Sequence, residues 1–170
     1  MEYAARIFAE NVKIRARILY NNKRFDEKED FIMLRIVYGA KGSGKTSKLI
    51  DEANAMVEKT SGSIVFITYV DRYNFDLNYR IRVINAGNFG VGTEEQLAGF
   101  VKGVMASNSD IDMLYIDGAH RITGKKVADM QFFYDEVAKA SKNSAVEIVL
   151  SASTDELPSF LQGYENEKVN

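Results

Sequence analysis

Gly39-Ala40-Lys41-Gly42-Ser43-Gly44-Lys45-Thr46 follows the apolar run Ile32-Met33-Leu34-Arg35-Ile36-Val37-Tyr38 and leads into a helical pattern. The eight residues fit G-x-x-x-x-G-K-[ST], and strand, loop, helix is the context that gives this pattern meaning. A polyphosphate carries several negative charges, so a chain wrapping it has to turn backbone N–H groups inward and keep side chains away. Glycine allows both. Successive amides from Gly42 to Thr46 form an anion nest, and the N-terminus of the next helix adds the positive end of its dipole. Lys45 is placed to reach the β- and γ-phosphates, and the Thr46 hydroxyl to ligate Mg²⁺. Gly39, Ala40, Lys41, Gly42, Ser43, Gly44, Lys45 and Thr46 are thus the expected phosphate-binding residues. The alternative is a glycine turn between strand and helix that binds nothing.

Working outward, five short strand-like runs alternate with helical patterns, which predicts an α/β fold: a mainly parallel five-stranded sheet with helices on both faces. Leu49, Ile50, Ala53, Met56 and Val57 recur at helical spacing, and Ser61-Gly62 supplies a stop. Residues 64 to 70 form a continuous β-branched and aromatic run, fit for a strand buried on both faces. A shorter strand holds Ile81, Val83 and Ile84. Thr93 with Gln96 makes a capping box for a helix whose apolar face carries Leu97, Phe100, Val101, Val104 and Met105. Gly99 and Gly103 lie one turn apart on that helix, where close packing on the sheet is expected. A further helix is marked by Met130, Phe133, Val137 and Ala140, and the last strand runs from Val146 to Leu150. Leu157 to Leu161 reads as a short closing helix, and Glu165 onward is polar enough to fray.

Ile111-Asp112-Met113-Leu114-Tyr115-Ile116 ends in Asp117-Gly118-Ala119-His120. In open α/β sheets ligands gather at the carboxyl ends of the strands, so Asp117 and the glycine loop should share one edge. A carboxylate there holds Mg²⁺ beside the Thr46 hydroxyl; the plainer reading is a turn-forming Asp-Gly pair. Asp71, at the end of the second strand, is a base candidate or a capping residue. His120, the single histidine, is either a γ-phosphate contact or a solvated or structural side chain. Ser151 and Ser153 can contact the γ-phosphate or begin a loop. Lys41, Arg72, Arg121, Lys125 and Lys126 offer further phosphate contacts or a docking surface.

Composition sets the bounds. At 170 residues the chain fits one core-forming domain. A formal net charge of −2 gives no global field for nucleic acid or anionic membrane. The lack of cysteine removes disulfides, thiolate zinc sites and thiol catalysis, and makes a reducing cytoplasm the simplest home. No apolar run approaches the ~18 residues of a membrane span, and no signal-peptide stretch opens the chain. In residues 1–32, Ala4, Ile7, Phe8, Ile14, Ile18 and Leu19 can share a helical face, with Arg6, Lys13 and Arg17 nearer the other. Such a stretch packs on its own domain, a twin subunit or another protein, or lies on a membrane.

On the loop at 39–46 and the Tyr115-Ile116-Asp117-Gly118 segment, the chain resembles the P-loop NTPase superfamily, through Met33 to about Leu161. Its layout is similar to a group of short bacterial ATP-binding proteins, some labelled twitching-motility ATPases, although it lacks the length and additional motifs of hexameric secretion motors. It also resembles type II thymidine kinase in the order of P-loop, Asp71-Arg72-Tyr73 and Asp-x-Ala-x at 117–120. That kinase's catalytic glutamate corresponds here to Gly118, and its cysteine-zinc lasso has no counterpart. The resemblance implies a three-layer P-loop NTPase fold, ATP and Mg²⁺ as ligands, Thr46 and Asp117 at the metal, and Lys45 with Asp71 in catalysis. Many P-loop ATPases carry Asp-Glu where this chain has Asp117-Gly118, which points to weak hydrolysis, to a nucleotide-dependent binding module, or to a nucleoside-kinase-like phosphotransferase. GTP gains no support, since no Asn-Lys-x-Asp segment is present. The implied organisation is an N-terminal helical extension and linker over 1–32, a nucleotide-binding domain over 33–163 and a flexible tail over 164–170.

Overall fold

The computed structural model describes residues 33–170, so the amphipathic reading of residues 1–32 lies outside the described residues. Six strands form one sheet: β1 (Leu34–Gly39), β2 (Ser63–Thr68), β3 (Ile81–Asn85), β4 (Ile111–Ile116), β5 (Glu147–Ser153) and β6 (Glu165–Lys168). Their order is β3-β2-β4-β5-β1-β6, and every neighbouring pair is parallel. Parallel neighbours require crossovers, and four α-helices supply much of them: α1 (Lys45–Met56), α2 (Glu94–Ser107), α3 (Ala119–Thr123) and α4 (Gln131–Ser144).

The apolar runs are continuous because the sheet is covered on both faces. On β2, Val65 and Ile67 join the core that also holds Leu97 and Val101 of α2 and Phe133 and Val137 of α4. Ile64 and Phe66 turn the other way, into the core with Leu49, Ile50 and Ala53 of α1. β4 alternates likewise, with Leu114 and Ile116 on the first side and Met113 and Tyr115 on the second. This is the period-2 geometry of a strand with no solvent face.

Three expectations need correction. The sheet has six strands, not five, because residues 165–168 do not fray; they pair with β1 from Arg35↔Glu165 to Tyr38↔Lys168. All four residues of β6 are exposed, so no apolar pattern announces them. The backbone ladder, the Val169 N–H donating to Tyr38 O at 2.7 Å, and Glu167 beside Lys48 at 2.7 Å hold the strand instead. Gly99 and Gly103 do not pack on the sheet: both are exposed, with nothing within 4 Å of where a Cβ would stand. Leu157 to Leu161 contains only a 3-10 turn at Ser159–Leu161. No helix among the described residues is long and apolar enough to cross a membrane.

The capping box at Thr93 forms as the sequence predicts, with Thr93 Oγ1 accepting from the Gln96 N–H at 3.2 Å. Beside it, Glu94 is buried and accepts the Phe133 N–H at 2.7 Å, one of the donors that the first turn of α4 leaves without a helical partner. Lys125 Nζ donates to the other Glu94 oxygen at 2.6 Å, which commits this lysine to the scaffold and not to phosphate. Glu94→Ala strands the Phe133 N–H, and urea unfolding should show a loss of about 1–3 kcal/mol with the m-value unchanged.

Candidate functional site

The glycine loop leaves β1 at Gly39 and enters α1 at Lys45. Gly42 and Gly44 hold φ of +87° and +91°, a left-handed conformation that side chains rarely adopt, and no atom lies within 4 Å of where either Cβ would project. The backbone is thus bent into a form that requires glycine, around space that protein does not fill. Gly44 caps α1 without any side-chain hydrogen bond. The first N–H groups of the helix therefore have no side-chain cap, and the helix start, at the positive end of its dipole, borders the cavity described below.

Lys45 is buried and folds back over its own loop. Its Nζ donates to Gly39 O at 2.9 Å, to Ala40 O at 2.5 Å and to Ser43 Oγ at 3.4 Å. Burial lowers the pKa of this ammonium group from its ordinary value, and the positive Arg121 adds to the shift while Asp117 opposes it. Phosphate oxygens are stronger acceptors than these carbonyls and would relieve the same burial.

Asp117 stands at the end of β4, 1% exposed, and meets three other segments. Thr46 Oγ1, from the first turn of α1, donates toward its carboxylate at 3.0 and 3.1 Å. Ser151 Oγ, on β5, donates to Oδ1 at 2.7 Å and accepts the Gly118 N–H at 2.9 Å. Arg121 Nη2, on α3, donates to Oδ2 at 2.7 Å. The sequence left Ser151 open between phosphate contact and loop start; it is a strand residue that positions Asp117.

A cavity of about 980 Å³ opens over these groups. Its walls include Lys41, Lys45, Thr46, Asp117, His120 and Arg121, together with Ser151 and Ser153. It continues along α1 past Ser47, Ile50 and Asp51 to Tyr73 and Asp76. Those five were missed as site residues in the sequence, although Ser47, Ile50 and Asp51 share the i, i+3, i+4 face that leaves the loop. Asp71 does not line the cavity. It sits in a 3-10 turn over Asp71–Phe75, where its Oδ1 accepts from Asn85 Nδ2 at 2.8 Å and Asn88 Nδ2 at 3.4 Å.

His120 lines the cavity, but its Nδ1 is buried with no hydrogen-bond partner. Burial lowers its pKa, with the charge of Arg121 next in effect. The ring is thus held toward its neutral form.

Thr46 and Asp117 offer hard oxygen donors beside an anion nest. Mg²⁺ is commonly held by one or two carboxylates plus substrate phosphates. The donor set, one hydroxyl and one carboxylate, fits that ion.

No protein-family model matches the sequence, and no curated protein matches it. Among solved structures, PCH-2 of C. elegans is similar over 95% of this chain, with a TM-score of 0.54 and 13% identity. The flagellar accessory protein FlaH from Methanocaldococcus jannaschii is similar over 74% of it, with a TM-score of 0.44 and 18% identity. This chain spans 42% of the PCH-2 chain and 63% of the FlaH chain. At that identity the first likeness bears on fold alone. It agrees with the α/β fold seen here, a parallel sheet with helices on both faces.

Two measurements probe the site without any ligand. Ser151→Ala removes one hydrogen bond from Asp117 and strands the buried Gly118 N–H, so chemical denaturation should show a loss of about 1–3 kcal/mol. For His120 the reference pKa is 6.5, and the folded value lies lower. Below that pH the unfolded chain binds a proton that the folded chain refuses, so stability falls as pH falls. Wild type should therefore lose more stability than His120→Gln between about pH 7.5 and about pH 5.5; equal losses would show that the ring titrates freely.

Proposed function

We propose that the protein binds Mg-ATP through residues 39–46 and hydrolyses its γ-phosphate slowly. The observation that carries this reading is the left-handed glycine loop at the head of α1, which lines the same cavity as Thr46 and its partner, the buried Asp117. A polyphosphate laid in the nest would take the N–H groups of Gly42 to Thr46, and the Lys45 ammonium would exchange loop carbonyls for β- and γ-phosphate oxygens. Thr46 and Asp117 would hold Mg²⁺, which when bound neutralises charge on the β- and γ-oxygens. ATP is preferred to GTP because the chain has no guanine-reading Asn-Lys-x-Asp segment.

Slow turnover follows from what surrounds the γ-phosphate position. A general base has to come within hydrogen-bond reach of the attacking water. Gly118 has no side chain to offer, and Asp71 has to leave the Asn85 and Asn88 amides to act. A second reading, a nucleotide-dependent binding module with little turnover, is favoured by the same observation. ATP would then order the loop over 71–79 and the α3 segment into a surface for a partner.

Lys45→Ala should weaken Mg-ATP binding in calorimetry by about 1.5–3 kcal/mol, roughly ten- to a hundredfold. Unchanged affinity would refute the site. Phosphate release separates the two readings: turnover that disappears in Asp71→Asn while ATP binding persists marks a hydrolase, and no turnover in the wild type marks the binding module.

A further inference from the structure

Asp117 has three donors. Ser151 is on Oδ1, Arg121 is on Oδ2, and the one Thr46 hydroxyl proton lies between the two oxygens. A carboxylate offers about four acceptor positions, and a divalent cation arriving here meets a carboxylate whose charge is already paired with the Arg121 guanidinium, so the two cations compete for it. Ser151 is buried and fixed on its other side by the Gly118 N–H. Thr46 would itself turn its oxygen to the same cation. Arg121 is the partner able to leave: its side chain is 38% exposed, and it borders the cavity.

Its seat is a built one. Gly118 holds φ of +75°, and a Cβ there would lie 2.5 Å from Arg121 Nε, 2.7 Å from Nη2 and 2.9 Å from Cζ. The guanidinium is packed over the bare Cα of Gly118, and glycine is what lets it reach Asp117. Arg121 also stands one helical turn from Asp117, at i+4, so the pair is set by the local chain. Lys45 and Arg121 border the same cavity, and each is satisfied by protein oxygen.

We propose that Arg121 is a built-in counter-cation: it occupies Asp117 while the phosphate site is empty and yields the carboxylate to a divalent metal when a nucleoside triphosphate offers the guanidinium its γ-phosphate in exchange. The inference rests on reading the cavity as a Mg-nucleotide site and adds how that site selects its ligand. Two charge exchanges are coupled. The metal takes over the neutralisation of buried Asp117, and the terminal phosphate takes over the pairing of Arg121. A metal without nucleotide gives the displaced guanidinium no anion. A diphosphate supplies no γ-oxygens, so it leaves Arg121 on Asp117. The protein thereby prefers triphosphate to diphosphate and resists bare metal.

Calorimetry on the full chain tests this with Mn²⁺ alone, and with ATP and ADP in the presence of Mg²⁺. Arg121→Ala should bind Mn²⁺ without nucleotide about tenfold or more tighter than wild type, and its ATP-to-ADP affinity ratio should fall by a similar factor. Arg121→Gln, which keeps much of the side-chain volume, should do the same if the alanine variant folds poorly. Gly118→Ala, whose Cβ takes the guanidinium's seat, should reproduce both changes from the other side. Wild-type Mn²⁺ affinity and an unaltered ATP-to-ADP ratio in folded Arg121 variants would overturn the proposal, as would the absence of Mn²⁺ binding in all of them. If wild type binds neither ATP nor ADP, the nucleotide reading and the triphosphate exchange fail together; tighter Mn²⁺ binding in the variants would then show only that Arg121 screens Asp117. Nucleotide binding with no Arg121 effect sinks the exchange alone.

Discussion

A buried carboxylate at the end of a central strand constrains this structure more than any other single group. Asp117 loses its hydration shell, and a lone ionised carboxylate in that position is costly unless it is paired and hydrogen-bonded. Its partners come from α1, β5 and α3, so the requirement fixes how those elements meet. The sheet order makes this possible: β5 lies between β1 and β4. Ile116 is level with Leu150 and Val37 with Ser151, which brings Asp117 beside Ser151 and sets both at the edge where the chain leaves β1 for the glycine loop. A one-residue slip of β5 would turn Ser151 to the opposite face, away from Asp117. Because β5 is buried on both faces, the polar site at its end distinguishes this register where apolar burial does not.

The sequence disclosed those features in which residue type and local geometry coincide. The loop at 39–46 was legible because only glycine tolerates the conformation of Gly42 and Gly44, and because the lysine and hydroxyl follow at fixed offsets. Asp117 was legible as an acid closing an apolar run. β6 was not, since an edge strand held by backbone pairing needs no apolar side chain, and Glu165 to Lys168 has none. Gly99 and Gly103 misled for the opposite reason: glycine in a helix marks close packing only when something approaches, and nothing does. Asp71 was placed at the right sheet edge, but the edge is wider than the site. Its strand, β2, lies beyond β4, and Asn85 at the end of β3 and Asn88 just after it claim its carboxylate. Those contacts depend on side-chain hydrogen bonds that no periodicity encodes.

The cavity's charges are sorted along its length. At the loop end stand Lys41, Lys45 and Arg121, with the N-terminus of α1 adding its partial positive charge. Six residues further along α1, roughly 9 Å at 1.5 Å per residue, Asp51 begins an acidic end that includes Asp76, with the ring of Tyr73 between. Asp117 sits at the positive end, paired with the guanidinium it faces. A ligand with phosphates at one terminus and a neutral, donor-bearing body at the other is drawn into a single orientation by this field, and the reverse orientation would set phosphate against carboxylate. Like-charge contacts of that kind cost more than the favourable ones gain, so polarity along α1 selects the ligand's direction. A second molecule bound beyond the phosphates would meet Asp51, Asp76 and Tyr73, a wall suited to hydroxyl or ammonium groups and hostile to another phosphate. Asp51 and Asp76 thus make the far end of the cavity unfavourable to a negatively charged group.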